Sequence, residues 1–201
     1  MSPFEIIGAP LSVYIAPIGT AFPLINVNPT GDWSLLGKNG DRSLSEEGVT
    51  VSHSKNYSNV RTAGSSGPVK AFLESEELML RMTLLDLTIE TYSRALNGNE
   101  VTTVAAGSGT AGFKRIGLSQ SVGRTREFAL LARGLSPEDE TMNMQYEFPR
   151  VYESASPEPV FRKGGQGAAL ALTFMVLEDL QATDPEQRFG RYITQHQAPL
   201  A

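Results

Sequence analysis

The chain has 201 residues, 40% of them hydrophobic and 19% charged, with a formal charge of −5 and no cysteine. That length and apolar content suit one globular domain with a substantial core. The acidic balance argues against a basic nucleic-acid-binding surface, and the absence of thiols excludes disulfides, cysteine nucleophiles and cysteine metal sites.

The N-terminal stretch is apolar but carries no basic residue before Lys38, so no secretory signal is read there. The longest apolar run, Gly167 to Leu177, is too short to span a bilayer, which implies residence in a cytoplasm or inside an assembly. A strand is expected over Leu11 to Gly19, then a Pro/Asn/Gly-rich connector from Phe22 to Asp32. The only tryptophan, Trp33, opens "WSLLG", and Asn39-Gly40 is a tight-turn signal.

The next segment, "GVTVSHSKNYSNV" from Gly48 to Val60, alternates like a strand with one small, polar face. Thr50, Ser52, Ser54, Asn56 and Ser58 share that face, with Val49, Val51, His53, Lys55 and Tyr57 opposite. Two long strands are expected, Val49 to Thr62 and Val69 to Leu85, joined by the loop Ala63 to Pro68. In the second, Leu78, Leu80, Met82 and Leu84 alternate with Glu77, Met79, Arg81 and Thr83. The period then changes. Leu85, Ile89, Tyr92 and Leu96 fall on one helical stripe over Asp86 to Leu96, with Asp86 as N-cap and Asn97-Gly98 as the stop.

The second half returns to strands, at Phe113 to Ser121, Thr125 to Gly134 and Thr141 to Arg150. In the last, Met142, Met144, Tyr146 and Phe148 face one way and Thr141, Asn143, Gln145 and Glu147 the other. "AALALTFMVL", Ala168 to Leu177, is apolar on both faces and is expected to be the most buried strand. Residues 181–201, with Pro185 and Pro199, read as a C-terminal arm, leaving 1–180 as a single domain. The class is mainly β, an antiparallel sandwich or barrel with one short helix.

Sites of chemistry are sparse. "GSGTAG", Gly107 to Gly112, matches G-x-G-x-x-G, but a strand pattern follows it where a dinucleotide fold needs a helix, so it reads as a loop. "KGGQG", Lys163 to Gly167, resembles an anion cradle yet is better read as a turn entering the next strand. His53 and His196 lack a local carboxylate or metal-ligand spacing, and no G-x-S-x-G elbow occurs. Among Glu74, Glu76 and Glu77, strand geometry puts Glu74 and Glu76 on one side, solvated or facing a cavity, and Glu77 on the other. No catalytic, cofactor or metal residue is assigned, and the chain reads as non-enzymatic.

Strands this long exceed the usual five or six residues and leave edges that recruit other chains unless covered or closed into a ring. A cyclic oligomer whose sheets join into a shared barrel is one solution. The order of features then resembles the major tail tube proteins of long-tailed bacteriophages. The resemblance is carried by "WSLLGKNGDRSLSEEGVTVSHSKNYSNV" and "ESEELMLRMTLLDLTIETYSRALNG"; it spans residues 31–98 and continues by pattern alone over 113–178.

That resemblance implies homo-hexameric rings stacked into a hollow virion tail tube, related to the ring protein of type VI secretion. It implies assembly in a bacterial cytoplasm, with double-stranded DNA passing without specific binding and no membrane partner. Tape-measure, tail-terminator and distal tail proteins are the implied partners. A conduit needs a lumen that does not hold DNA, so Thr50, Ser52, Ser54 and Asn56, with Asn143, Gln145 and Glu147, are the candidate lumen lining. Ala63, Gly64, Ser65, Ser66, Gly67 and Pro68, with Glu74 and Glu76, are the candidate contacts between subunits or rings. The alternative is a β-sandwich binding module, such as a capsid decoration protein or an adhesin domain.

Overall fold

A computed structural model describes residues 10–119, 123, 125–136, 141–159, 161 and 168–196. The strands are β1 (Ser12–Pro17), β2 (Ser34–Leu35), β3 (Leu44–Val60), β4 (Lys70–Leu84), β5 (Val101–Val104), β6 (Phe113–Ile116), β7 (Phe128–Leu135), β8 (Asn143–Glu153), β9 (Leu170–Val176) and β10 (Arg191–Thr194), with one α-helix, α1 (Ile89–Ala95). The turn expected at Lys163 to Gly167 lies outside the described residues. No helix among them is long and apolar enough to cross a membrane.

Eight strands form one sheet in the order β2-β1-β7-β8-β9-β4-β3, with β10 added to β8, and every pairing is antiparallel. Val13 and Ile15 of β1, Leu130 of β7, Phe148 of β8, Phe174 of β9 and Leu80 and Leu84 of β4 belong to one buried cluster. In a flat sheet β1 and β4 would stand about 19 Å apart, so a shared core requires the sheet to curl. The chain after β2 bridges the two sides: Leu36 donates its N–H to the Val13 carbonyl (2.8 Å), and Leu85 donates to the Ser43 carbonyl (2.7 Å). The curl stops short of a closed barrel, because β2 and β3 remain its two ends.

The outer face of β7 is covered as well. Trp33, Ala16, Ala129 and Leu131 make a second cluster, with Phe22 against it. The Trp33 indole donates to the Ala21 carbonyl (3.0 Å), pinning the connector over β1 and β7. Six consecutive residues of β7, Phe128 to Arg133, are consequently buried. The expectation that Ala168–Leu177 is the most buried strand is therefore corrected, for Ala171 on β9 is exposed and Thr173 and Met175 are partly so. Apolar residues on both faces do not by themselves bury a strand; something must cover the second face, and the connector covers β7.

The helix starts later than its sequence suggests. Thr88 is the N-cap, its hydroxyl accepting from Thr91 N–H (3.1 Å). Asp86 instead accepts from the Lys38 N–H (2.8 Å), holding the segment after Trp33. The tight turn expected at Asn39-Gly40 takes the form of a 3-10 turn, Gly40–Ser43. Among the described residues β6 pairs with β5 alone, in a separate hairpin.

The expected C-terminal arm does not extend away through residue 196. β10 pairs with Met144 to Glu147 of β8, and Gln195 donates to the Asn143 carbonyl (2.9 Å). Gly190 makes the approach possible: its φ is +115°, and a Cβ there would sit 2.0 Å from the Glu147 carbonyl oxygen.

Candidate functional site

The β3–β4 hairpin is the feature the rest of the fold does not account for. β9 accompanies β4 only from Met79 to Leu84. From Leu78 outward to Lys70, β4 has β3 alone beside it, and the other edge of β3 has no partner among the described residues. The register from His53↔Leu78 to Val60↔Lys70 makes a two-stranded arm about 25 Å long at strand rise. Tyr57, Val60, Val69, Phe72 and Leu73 on this arm are 44–54% exposed. Two strands without a covered face are only marginally stable alone, and unpaired edges template pairing with another chain.

A bulge shapes the arm. The register shifts between Asn56↔Ser75 and Tyr57↔Leu73, which leaves Glu74 without an opposite residue. Glu74 accepts from the Asn56 amide (3.4 Å) on one face, while Glu76 lies 3.3 Å from His53 Nε2 on the other. Glu74 and Glu76 therefore do not share a side, as uninterrupted alternation would require. His53 has a cross-strand carboxylate partner that its sequence neighbours do not reveal. A second irregularity lies between Leu44 and Val49, where Gly48 adopts φ +64° and lets the extra residues loop out.

Thr50, Ser54 and Asn56 are exposed and Ser52 is partly so, all on the face away from the core. Their cross-strand partners are Arg81, Met79, Glu77 and Ser75, so that face mixes charge and thioether with the small polar groups. Ala63 to Pro68 form the tip, closed by Val69 N–H to the Val60 carbonyl (2.8 Å) and Ser65 Oγ to the Gly67 carbonyl (2.9 Å).

The other proposed lining residues sit elsewhere. Gln145 and Glu147 are each only 1% exposed, and Asn143 is half-buried. This polar face of β8 is roofed by the connector, whose carbonyls it satisfies. Asn143 donates to the Ile25 carbonyl (3.2 Å) and Gln145 to the Pro23 carbonyl (3.2 Å). Arg133, from β7, donates to the Gln145 Oε1 and to the carbonyls of Leu24 (3.0 Å) and Val27 (2.5 Å). Gln145 also donates to Glu147, and Arg191 of β10 bonds Glu147 Oε2 at 2.5 Å. Burial pushes the Arg133 guanidinium below its ordinary pKa, opposed by Tyr14 and Glu147, but an arginine keeps its charge. Asn143, Gln145 and Glu147 are thus corrected from open wall to buried latch. Arg133 and Arg191 complete it; an arginine inside the apolar run "FALLARGL" was the available signal.

The other glycine-rich motif among the described residues sits in a hairpin tip. Gly107 and Thr110 exchange backbone hydrogen bonds (3.0 and 3.1 Å) at the tip of the β5–β6 hairpin, so the G-x-G-x-x-G stretch precedes a strand and not a helix. Among the described residues no cluster of three or more His, Asp or Glu is arranged to hold a metal ion. Comparison with protein-family models and with curated proteins yields no match to this sequence.

Proposed function

We propose that this chain is a self-assembling structural subunit whose ring-shaped oligomers stack into a phage tail tube, a conduit for double-stranded DNA. The observation that carries this reading is the two-stranded arm of β3 and β4, with both edges open beyond Leu78 and five large apolar side chains about half exposed. An isolated subunit gains nothing from such an arm, whereas a neighbour can add its own edge and cover those side chains. The curled, unclosed sheet supports a shared barrel built by joining sheets edge to edge around a six-fold axis.

On this reading the face of Thr50, Ser52, Ser54 and Asn56 belongs to the wall of the lumen, while Asn143, Gln145 and Glu147 fix the connector within each subunit. The loop Ala63 to Pro68, at the arm's tip, reaches the next ring. The tape-measure, terminator and distal tail proteins meet the tube's inside and its two ends. The test is negative-stain electron microscopy of the purified full chain with light scattering for mass. Rings or tubes with six copies per turn are expected, and a compact monomer at tens of micromolar overturns the reading.

A further inference from the structure

A cavity of about 630 Å³ opens between the end of β1 and the start of β7, well away from the arm. Two arginines line it, Arg94 from the last turn of α1 and Arg126 just before β7. Both rest on one ring: the Arg94 Cζ is 5.7 Å and the Arg126 Cζ 5.8 Å from the Phe128 centroid. Arg126 is fixed, its Nη1 donating to the Gly98 carbonyl (2.7 Å) and its backbone N–H to Asn97 Oδ1 (2.6 Å). Arg94 has no hydrogen-bond acceptor and no carboxylate within 4.0 Å among the described residues.

Two carboxylates also line this cavity, and neither meets Arg94. Glu127 accepts both Nε (3.0 Å) and Nη2 (2.9 Å) of Arg150. Asp32 is exposed and forms no ion pair among the described residues. Burial first, and Arg126 second, push the Arg94 guanidinium below its ordinary value. A half-desolvated guanidinium with empty donors, next to a second positive charge, is unfavourable until an anion joins it.

We propose that this cavity is an oxyanion site, where a carboxylate or phosphate group is held by the guanidiniums of Arg94 and Arg126 beside the Phe128 ring. The planar fork of arginine matches the paired oxygens of such groups, and one anion would fill the free donors of Arg94 and cancel its repulsion with Arg126. The cation–π contacts orient the two side chains but offer them no acceptor. This site does not depend on the tube reading.

The oxyanion has two possible sources, a free small anion or an acidic side chain of a second copy. The full-length chain is titrated with sodium phosphate against sodium chloride at equal ionic strength, by calorimetry and thermal melting. Expected is a saturable rise in Tm with phosphate alone, with Kd raised at least tenfold in Arg94→Gln and to a lesser degree in Arg94→Lys. Unchanged circular dichroism in both variants establishes that the fold is kept. Sedimentation then separates the sources: if phosphate and Arg94→Gln each weaken self-association, the occupant is a neighbour's carboxylate, and if neither does, it is a free anion. Neither a saturable phosphate effect nor a phosphate-sensitive association in the wild type, or an equal response in Arg94→Gln, overturns the site.

Discussion

Arg133 on β7 and Gln145 on β8 stand directly opposite each other, and the Nε and Nη2 of the guanidinium converge on the single amide oxygen at 3.0 and 2.5 Å. The far side of that guanidinium holds the carbonyls of Leu24 and Val27, and the far side of the amide reaches Pro23 and Glu147. One chain of polar groups thus ties the connector, β7, β8 and, through Arg191, β10. The connector forms no ladder with these strands over Pro23 to Val27, so its inward carbonyls need side-chain donors. A buried network of this kind favours a single arrangement because every member depends on its neighbour.

Replacing Arg133 by Met keeps the apolar stem and removes all the donors. The Gln145 oxygen and the Val27 carbonyl then lose their donors, while the Leu24 carbonyl keeps the Val27 N–H (2.9 Å). Leaving such groups unpaired costs about 2–4 kcal/mol, which urea unfolding of Arg133→Met should show as a lower midpoint. Limited proteolysis should quicken between Phe22 and Val27 more than elsewhere. Wild-type stability with unchanged cleavage would mean the ladder does not hold the connector.

Glu153, at the end of β8, gives the fold a pH dependence of definite sign. Burial raises its pKa, against hydrogen bonds from the Ala155 N–H (2.9 Å) and the Thr173 N–H (3.3 Å) that lower it. With the folded pKa above the unfolded one, the native state binds more protons in the interval between them. The stabilisation is fully present below the ordinary carboxylate value of 4.5 and is lost as pH rises through the folded value. Both backbone donors reach Oε1, so Glu153→Gln preserves them. The variant should be more stable than the wild type at pH 7, with the gap narrowing towards pH 4 in urea titrations.

Much of this fold is legible in alternation. Leu80, Met82 and Leu84 against Arg81 place β4 correctly, because a period of two survives wherever a ladder is regular. Legibility fails where regularity does. The bulge at Glu74 reverses which face an acidic residue occupies, and no local residue pattern announces it. The polar alternation of Asn143, Gln145 and Glu147 is read correctly as a face, but its exposure is decided by a connector about 120 residues away in sequence. Composition reveals which residues can be wet; it does not reveal whether water or a distant backbone wets them. The Arg94–Arg126 cavity was likewise hidden, since the two arginines, distant in sequence, come to the same Phe128 ring only in the folded chain.

If the Thr50–Asn56 face lines a DNA conduit, added cations there should hold the cargo. Lysine at Ser52 and Ser54 is repeated in every subunit of every ring, and each Lys–phosphate contact strengthens binding in a salt-dependent way. Phage carrying both Ser52→Lys and Ser54→Lys should assemble tubes of normal appearance yet eject DNA several-fold more slowly, with recovery at higher salt. Ejection at the wild-type rate at low salt would place this face outside the lumen.

If the arm serves assembly and not folding, one cross-strand pair on it and one core residue of the same strand should respond in opposite ways. Tyr57 and Leu73 are cross-strand partners, 51% and 49% exposed in the single chain. Serine at both removes one exposed pair, whose contribution within a hairpin is about 0.2–1 kcal/mol. Monomer stability should therefore move by about 1 kcal/mol at most. Burial of the same side chains against a neighbour would be worth about 0.75–1.5 kcal/mol each, half of the full transfer value because half their surface is already covered. Every interface repeats the loss, so Tyr57→Ser with Leu73→Ser should weaken self-association more than tenfold, seen as loss of rings by electron microscopy and a lower mass by light scattering. Leu80 is fully buried on the same strand, and Leu80→Ala should do the reverse, costing about 2–5 kcal/mol of folding stability before any assembly is measured. An arm variant that lowers the melting temperature as much as Leu80→Ala while leaving rings intact would place the arm in the folding core and remove it from the assembly surface.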